Sequence, residues 1–390
     1  MAMEVSLPLP LLPGDVIKEI LVRMSVKELL RLRSVCKEWC ILIDSPEFIR
    51  THRKVSKLGL FINDFEHLYW LDLDTLDSSS SSVSCTLERL DKSRGFVALN
   101  LGCCNGLIVE GYCGYLCSGG GVPFLWNPST RNYGKVSFNK DYASYSLTTV
   151  IGLGYDPLID DHKIFTSTVI VPQKRKKRSV CVFQQYCVKA KTWKKLICND
   201  ALSENYGYDF GHVFMENSTL YWVVTPWDEE EKEDNEDAFC NVRFILGYDI
   251  VTEKHTKLPL PTSFEETHCF VFGPCDLDGC LSVVRQKKNE RSCFEIWVMK
   301  EYGKEEERRS WTKLFSVVAA AADHGPGYFQ SRMRPIKYYE STNQLLLYVD
   351  CERLILYDSK MNTFKHVHVP ILGVAGRFEA YLAVQTLVGI

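Results

Sequence analysis

Histidines, cysteines and paired carboxylates are the side chains with which a chain of this size would do chemistry, and their spacing here does not set up any. Nine histidines are scattered along 390 residues. His366 and His368 stand two apart and so share a strand face, but no carboxylate or cysteine at ligand spacing completes a metal site. Asp160-Asp161 lies inside a hairpin pattern, where acids favour the turn backbone over an acid–base pair. Sixteen cysteines are spread through apolar runs with no CxxC pair, which predicts reduced, mostly buried thiols. The glycosylation sequon at Asn217-Ser218-Thr219 is then incidental. P-loop, GxSxG and HExxH motifs are missing too. No catalytic residue, metal or cofactor is expected.

Recognition is the chemistry that remains. A glycine-rich run, GYCGYLCSGGG (111–121), is followed by Lys174-Arg175-Lys176-Lys177-Arg178 and then by DEEEKEDNED (228–237), which contains Glu229, Glu230 and Glu231. A fourth run, RQKKNER (285–291), contains Lys287 and Lys288. Such loops could read a partner by charge; the plainer reading is solvated loop surface. The basic run at 174–178 could also act as a nuclear import signal, a lesser alternative. A net charge of −3 argues for no nucleic-acid or membrane partner. No apolar run reaches the ~18 residues of a spanning helix, and a basic region with an apolar core is missing at the start. Cytoplasm and nucleus are the expected compartments.

Two kinds of element must hold these loops. The first is helical. Pro10 and Pro13 lead into a helix with Asp15 in its first turn and Val16, Ile17, Ile20, Leu21 and Met24 at helical spacing. Ser25 and Glu28 form a capping box that opens a second helix carrying Leu29, Leu30, Leu32, Val35 and Cys36. Trp39, Leu42 and Ile43 continue the face through a third, and Ser45-Pro46-Glu47 caps a short fourth towards Arg53. A unit this small buries little core of its own, so it either caps the larger domain or leaves apolar surface for a partner.

The second element is a repeat. WNPSTRNYGKV from Trp126, YCVKAKTWKKL from Tyr186, YDIVTEKHTKL from Tyr248 and YDSKMNTFKHV from Tyr357 share a ring, a polar turn and a second ring seven places on, His255 standing in for it once. A copy with an insertion begins at Trp297, and a faint one at Trp70-Leu71-Asp72. Hairpin patterns such as CNGLIV and CDLDGCLSVV precede the clear starts. Four strands every ~50 to 60 residues is a propeller blade. Six blades are expected, seven being the alternative and a β-sandwich pair a third. The rings are expected to fill gaps between blades.

The string from Leu9 to His52 resembles an F-box, the motif that docks on the Skp adaptor of a cullin-based ubiquitin ligase. The matching positions are Leu9-Pro10, Asp15, Ile20-Leu21, Arg23-Met24, Val26, Leu29-Leu30, Arg33, Val35-Cys36-Lys37, Trp39, Phe48 and His52. The strings CNGLI, WNPSTR, GLGYDPLIDDHKI, LYWVV, YDIVTEKHTKLPLP and SWTKLF resemble the F-box-associated, kelch-like domain of plant F-box proteins. LYWLDLDTLD and EIWVMKEY look closest to the constitutive-pathogenesis-response type, which restrains plant immunity. The resemblance implies an α+β multi-domain chain. A three-helix F-box occupies 1–52, a connecting segment and first blade 53–95, and an all-β propeller-like domain 96–390. It also implies a non-catalytic substrate receptor that binds a Skp-family adaptor, through it a cullin, and an unidentified protein client. Leu9, Pro10, Ile20, Leu21, Leu29, Leu32, Val35, Cys36 and Trp39 are the residues expected to form the F-box core and adaptor contact. A scaffold outside degradation and a lectin-like receptor for glycosylated clients are the alternatives.

Overall fold

Pro13 is the N-cap residue of α1 (Gly14–Val22), with φ −53° and ψ 143°. The computed structural model describes residues 12–64, 67–76, 83–84, 87–90, 100–111, 124–136, 146–170, 180–196, 206–216, 218–226, 244–261, 264, 269–287, 293–300, 310–318, 333–370 and 377–390. Ser25 opens α2 (Val26–Leu32) with both halves of the capping box formed. The Cys36 sulfur accepts from the Trp39 amide at the start of α3 (Lys37–Asp44). Ser45 caps α4 (Pro46–Val55), its hydroxyl accepting from the Phe48 amide at 3.2 Å. Four helices therefore form, the fourth being a full member, because Phe48 joins Leu21, Leu29 and Ile43 in the small core.

Six sheets follow among the described residues, each built on four antiparallel strands a to d; five take their four strands in chain order, and one of these carries an added fifth strand. Blade 2 is Asn100–Cys104, Leu107–Gly111, Phe124–Asn127 and Asn132–Lys135. In blade 3 the strands are Ser146–Asp156, Asp161–Ile170, Val180–Cys187 and Thr192–Lys195. Tyr206–Glu216, Thr219–Pro226, Phe244–Asp249 and His255–Pro259 build blade 4. Blade 5 takes Cys269–Leu277, Cys280–Lys287, Cys293–Lys300 and Ser310–Val318, and blade 6 Met333–Tyr339, Gln344–Val349, Arg353–Asp358 and Thr363–His368.

Blade 1 is made from both ends of this region. Leu58–Asn63, Leu68–Asp72 and Leu87–Leu90 are its strands b, c and d, and Glu379–Val384 supplies strand a, pairing from Leu58↔Val384 to Asn63↔Glu379. This closes the ring without a free edge at the seam. Val83–Ser84 leaves blade 1 to lie parallel on the outer strand of blade 6.

The core sits between blades. One apolar cluster joins blades 1 and 6, and others join 5 to 6, 4 to 5, 2 to 3 and 1 to 2. Blades 3 and 4 meet through Phe165 against Tyr248, 5.8 Å between ring centroids. The first rings Trp126, Tyr186, Tyr248 and Tyr357 lie in inter-blade gaps as expected, whereas Tyr133 is exposed. In these four copies the second ring is the cross-strand neighbour of the first, as in Tyr186–Trp193 5.1 Å, Tyr248–His255 4.9 Å and Tyr357–Phe364 5.1 Å; in the copy from Trp297 the insertion shifts this, and Trp311 pairs with Met299. The faint copy is one residue out of step. Leu71, not Trp70, precedes the turn-forming Asp72 and packs towards blade 6, while Trp70 faces blade 2. A one-residue shift along a strand exchanges its faces.

The turns explain the polar part of the repeat. Asn127, Asp249 and Asp358 each accept backbone amides two or three residues on through Oδ1, the Asx geometry that starts a tight turn. Cys187 stands at that place in blade 3, and Asp161 of the neighbouring strand accepts from the Lys189 amide instead, at 3.0 Å. Asn105, Asp160, Ser218, Asp278 and Asn343 take positive φ in the a–b turns, and Arg131, Lys191, Glu253 and Asn362 in the c–d turns.

Candidate adaptor-binding unit and the opposite propeller face

The helical unit divides the expected adaptor residues into two groups. Leu21 and Leu29 are buried in its core, with Leu32 and Trp39 packed partly against them. Ile20 is 43% exposed and Val35 61%. Cys36 is half-buried and its sulfur serves the α3 cap. Leu9 and Pro10 lie outside the described residues. Leu12, Val16 and Ile41 are also exposed apolar side chains, Ile41 at 73%. Val16 and Ile20 are one helical turn apart, so they share a stripe of α1. Ile41 belonged to a run, CILI, whose two faces cannot be told apart by periodicity alone. Water-facing apolar side chains on so small a unit are what a protein partner would cover.

His52 fixes the base of this unit. It is buried against Phe48, and its Nε2 lies 2.9 Å from the Met24 carbonyl, which only an N–H donor satisfies. Burial holds its pKa below the usual value, the Met24 carbonyl opposing. The last turn of α4 then meets blade 3. The Arg53 guanidinium lies 5.2 Å from the centre of the Tyr155 ring, and Tyr155 donates its hydroxyl to Asp160. His162, its ring tilted against that of Tyr155 at 5.0 Å between centroids, is buried, and its pKa is pushed down to about 4, first by burial and then by Arg53. Lys27 of α2 reaches Glu88 of blade 1 at 3.0 Å.

The pKa of both histidines is lower in the fold than the ~6.5 of the unfolded chain, so their contribution is complete above pH 6.5. It is lost as pH falls from there towards about 4 for His162, on the order of 3 kcal/mol at the low end. We expect the melting temperature to be flat from pH 7 to 8 and to fall steeply below 6. In His162→Gln that slope should be visibly shallower, as read by calorimetry across the pH series.

The helical unit, Tyr155, Asp160 and His162 all lie at the a–b turn end of the blades. Antiparallel strands place the b–c connections at the other end. The runs at 111–121, 174–178 and 228–237 belong to b–c connections, so the strand ends that they join open onto the face opposite the helices. Of those residues only Gly111 is described; Lys174, Arg175, Lys176, Lys177, Arg178, Glu229, Glu230 and Glu231 lie outside the described residues, as does Lys288. The fourth run needs correcting. Arg285 and Gln286 are buried in strand b of blade 5, which ends at Lys287. Arg285 pairs with Glu295 at 3.2 Å and stacks on Phe264, because the strand continues through a charge run that reads as loop. Asp160 and Asp161 hold turn partners, and no group of three or more potential metal ligands occurs among the described residues.

The described residues thus form a six-bladed propeller with a helical module at the a–b turn end and the b–c connections at the other. The chain belongs to the F-box proteins with an F-box associated beta propeller domain: that domain family matches residues 58–369 and the F-box domain matches residues 9–51. It is 25% identical to the F-box protein CPR1 of Arabidopsis thaliana over 97% of this chain and 88% of that protein. An F-box/kelch-repeat protein of the same plant is 26% identical over 78% and 79% respectively. Among solved structures, an oligogalacturonate lyase in complex with manganese aligns at a TM-score of 0.42 and 11% identity over 84% of this chain and 91% of its own; a match that loose carries no argument about chemistry.

Proposed function

We propose that this protein is the substrate-recognition subunit of a Skp–cullin–F-box ubiquitin ligase, recruiting a protein client for ubiquitination and degradation. The observation that carries this reading is the pairing of an F-box, with Ile20 and Val35 left facing water, and a propeller whose b–c connections open on the opposite face. One side takes the Skp-family adaptor and through it the cullin; the other takes the client. The chain supplies effective concentration and orientation, and the bond chemistry occurs elsewhere in the complex. The resemblance to the constitutive-pathogenesis-response type favours a client in plant defence, in the cytoplasm or nucleus.

The client face is tested by neutralising residues 174–178 and 228–237 in the full chain. Recovery of clients under proteasome inhibition should fall several-fold while adaptor binding stays unchanged. Unaltered client recovery in both variants would remove these loops from the account.

A further inference from the structure

Beyond the last strand of blade 1 the backbone does not simply leave the ring. Residues 385–390 cross the a–b face of blade 2 with alternating side chains. Thr386 is fully buried, its hydroxyl donating to the Asn105 carbonyl at 3.0 Å. Val388 packs into the cluster between blades 2 and 3. Asn127, itself fully buried, donates through Nδ2 to the carbonyls of Thr386 and Val388, both at 2.9 Å. A Cβ on Gly106 would strike the Val384 carbonyl and the Thr386 side chain at 2.5 and 2.8 Å, so the path is closely moulded. Leu387 points the other way and packs, partly buried, against the apolar cluster of the helical unit formed by Leu21, Leu29, Ile43 and Phe48.

We propose that residues 385–390 are a strap that fixes the orientation of the F-box on the propeller, with Leu387 as its positioning residue. Even-numbered positions grip the platform while the odd-numbered Leu387 pins the helices, as the period of two in an extended chain requires. Two polar contacts also cross this junction: Lys27 with Glu88 is a surface ion pair, a class worth little, and Arg53 on Tyr155 is a single cation–π contact. Besides the two-residue backbone link from Val55 to Leu58, Leu387 therefore supplies the apolar contact that couples the two parts. The proposal deepens the ligase reading, since orientation matters because the two faces take different partners.

The test is a distance measurement on the full chain. Spin labels introduced as non-natural amino acids at Arg31 and Met361 report the helical unit against blade 6. The wild-type chain should give one narrow distance distribution. Leu387→Ser should broaden it at least twofold, with affinity for a purified Skp-family adaptor unchanged within about twofold and the propeller melt unaltered; Leu387→Met should restore the narrow distribution. A wild-type distribution in Leu387→Ser overturns the strap. Loss of adaptor affinity together with helical signal in that variant also overturns it, since Leu387 would then be only a core residue of the F-box. If the wild-type chain does not bind the adaptor at all, the ligase reading fails, and the distance comparison still decides the strap.

Discussion

Ile20→Asp in the full chain is expected to weaken binding of a purified Skp-family adaptor by at least about 100-fold without lowering the melting temperature. Ile20 stands on the water side of α1, 43% exposed, so a carboxylate there costs the free protein little. In a complex it would meet an apolar surface with its charge desolvated, and truncation of a central interface anchor typically costs about 2 to 4 kcal/mol. The neighbouring position makes the contrast. Leu21 is fully buried, and Leu21→Ala should lower stability by about 2 to 5 kcal/mol, unfolding so small a unit and losing adaptor binding through the fold. Calorimetric titration with circular dichroism on both variants separates the two mechanisms: binding without helix loss falls only in Ile20→Asp. Full adaptor affinity in Ile20→Asp would show that α1 does not face the adaptor.

The second large effect lies at the ring closure. Removing residues 377–390 takes away strand a of blade 1 and uncovers the backbone edge of Leu58–Asn63, six paired residues long. Leu60, Phe61 and Ile62, all fully buried, lose part of their cover, and Ala380 and Phe378 leave the cluster that joins blades 1 and 6. A domain is usually stable by only ~5 to 15 kcal/mol, so losing a whole strand and its packing weighs heavily, and the bared edge is a template for aggregation. Such a chain should be recovered insoluble or without a cooperative melt. A soluble truncated chain with a wild-type transition would mean that the seam does not hold the ring.

Local chemistry was readable and non-local pairing was not. Ser25 with Glu28 announced a capping box, and Ser45-Pro46-Glu47 a helix start, because a cap is satisfied within four residues. The ring-turn-ring copies marked strands c and d wherever the connection between them is tight. Blade 1 was faint because its c–d connection departs to blade 6 at Val83–Ser84, so no second ring can stand seven places on. Its strand a was invisible: EAYLAV carries no turn and no repeat signature, and its partner Leu58–Asn63 is more than 300 residues away. Charge misled at Arg285, whose partners Glu295 and Phe264 come from another strand and another connection. Inward and outward members of the F-box face could not be separated in the sequence, since Ile20-Leu21 is an apolar pair and only the packing of α3 and α4 decides which turns inward. Leu387 had no signal at all, because a single leucine in an extended run declares neither side.

In the proposed role one chain brings a client to a ubiquitin ligase. The most direct measurement of that role is paired affinity capture of wild type and Ile20→Asp from plant cells under proteasome inhibition, with ubiquitin-modified peptides quantified in each. Adaptor and cullin should be present with wild type and lost with Ile20→Asp, while a common set of proteins is retained by both and carries ubiquitin only with wild type. Retained proteins whose ubiquitination is equal in the two captures would contradict it.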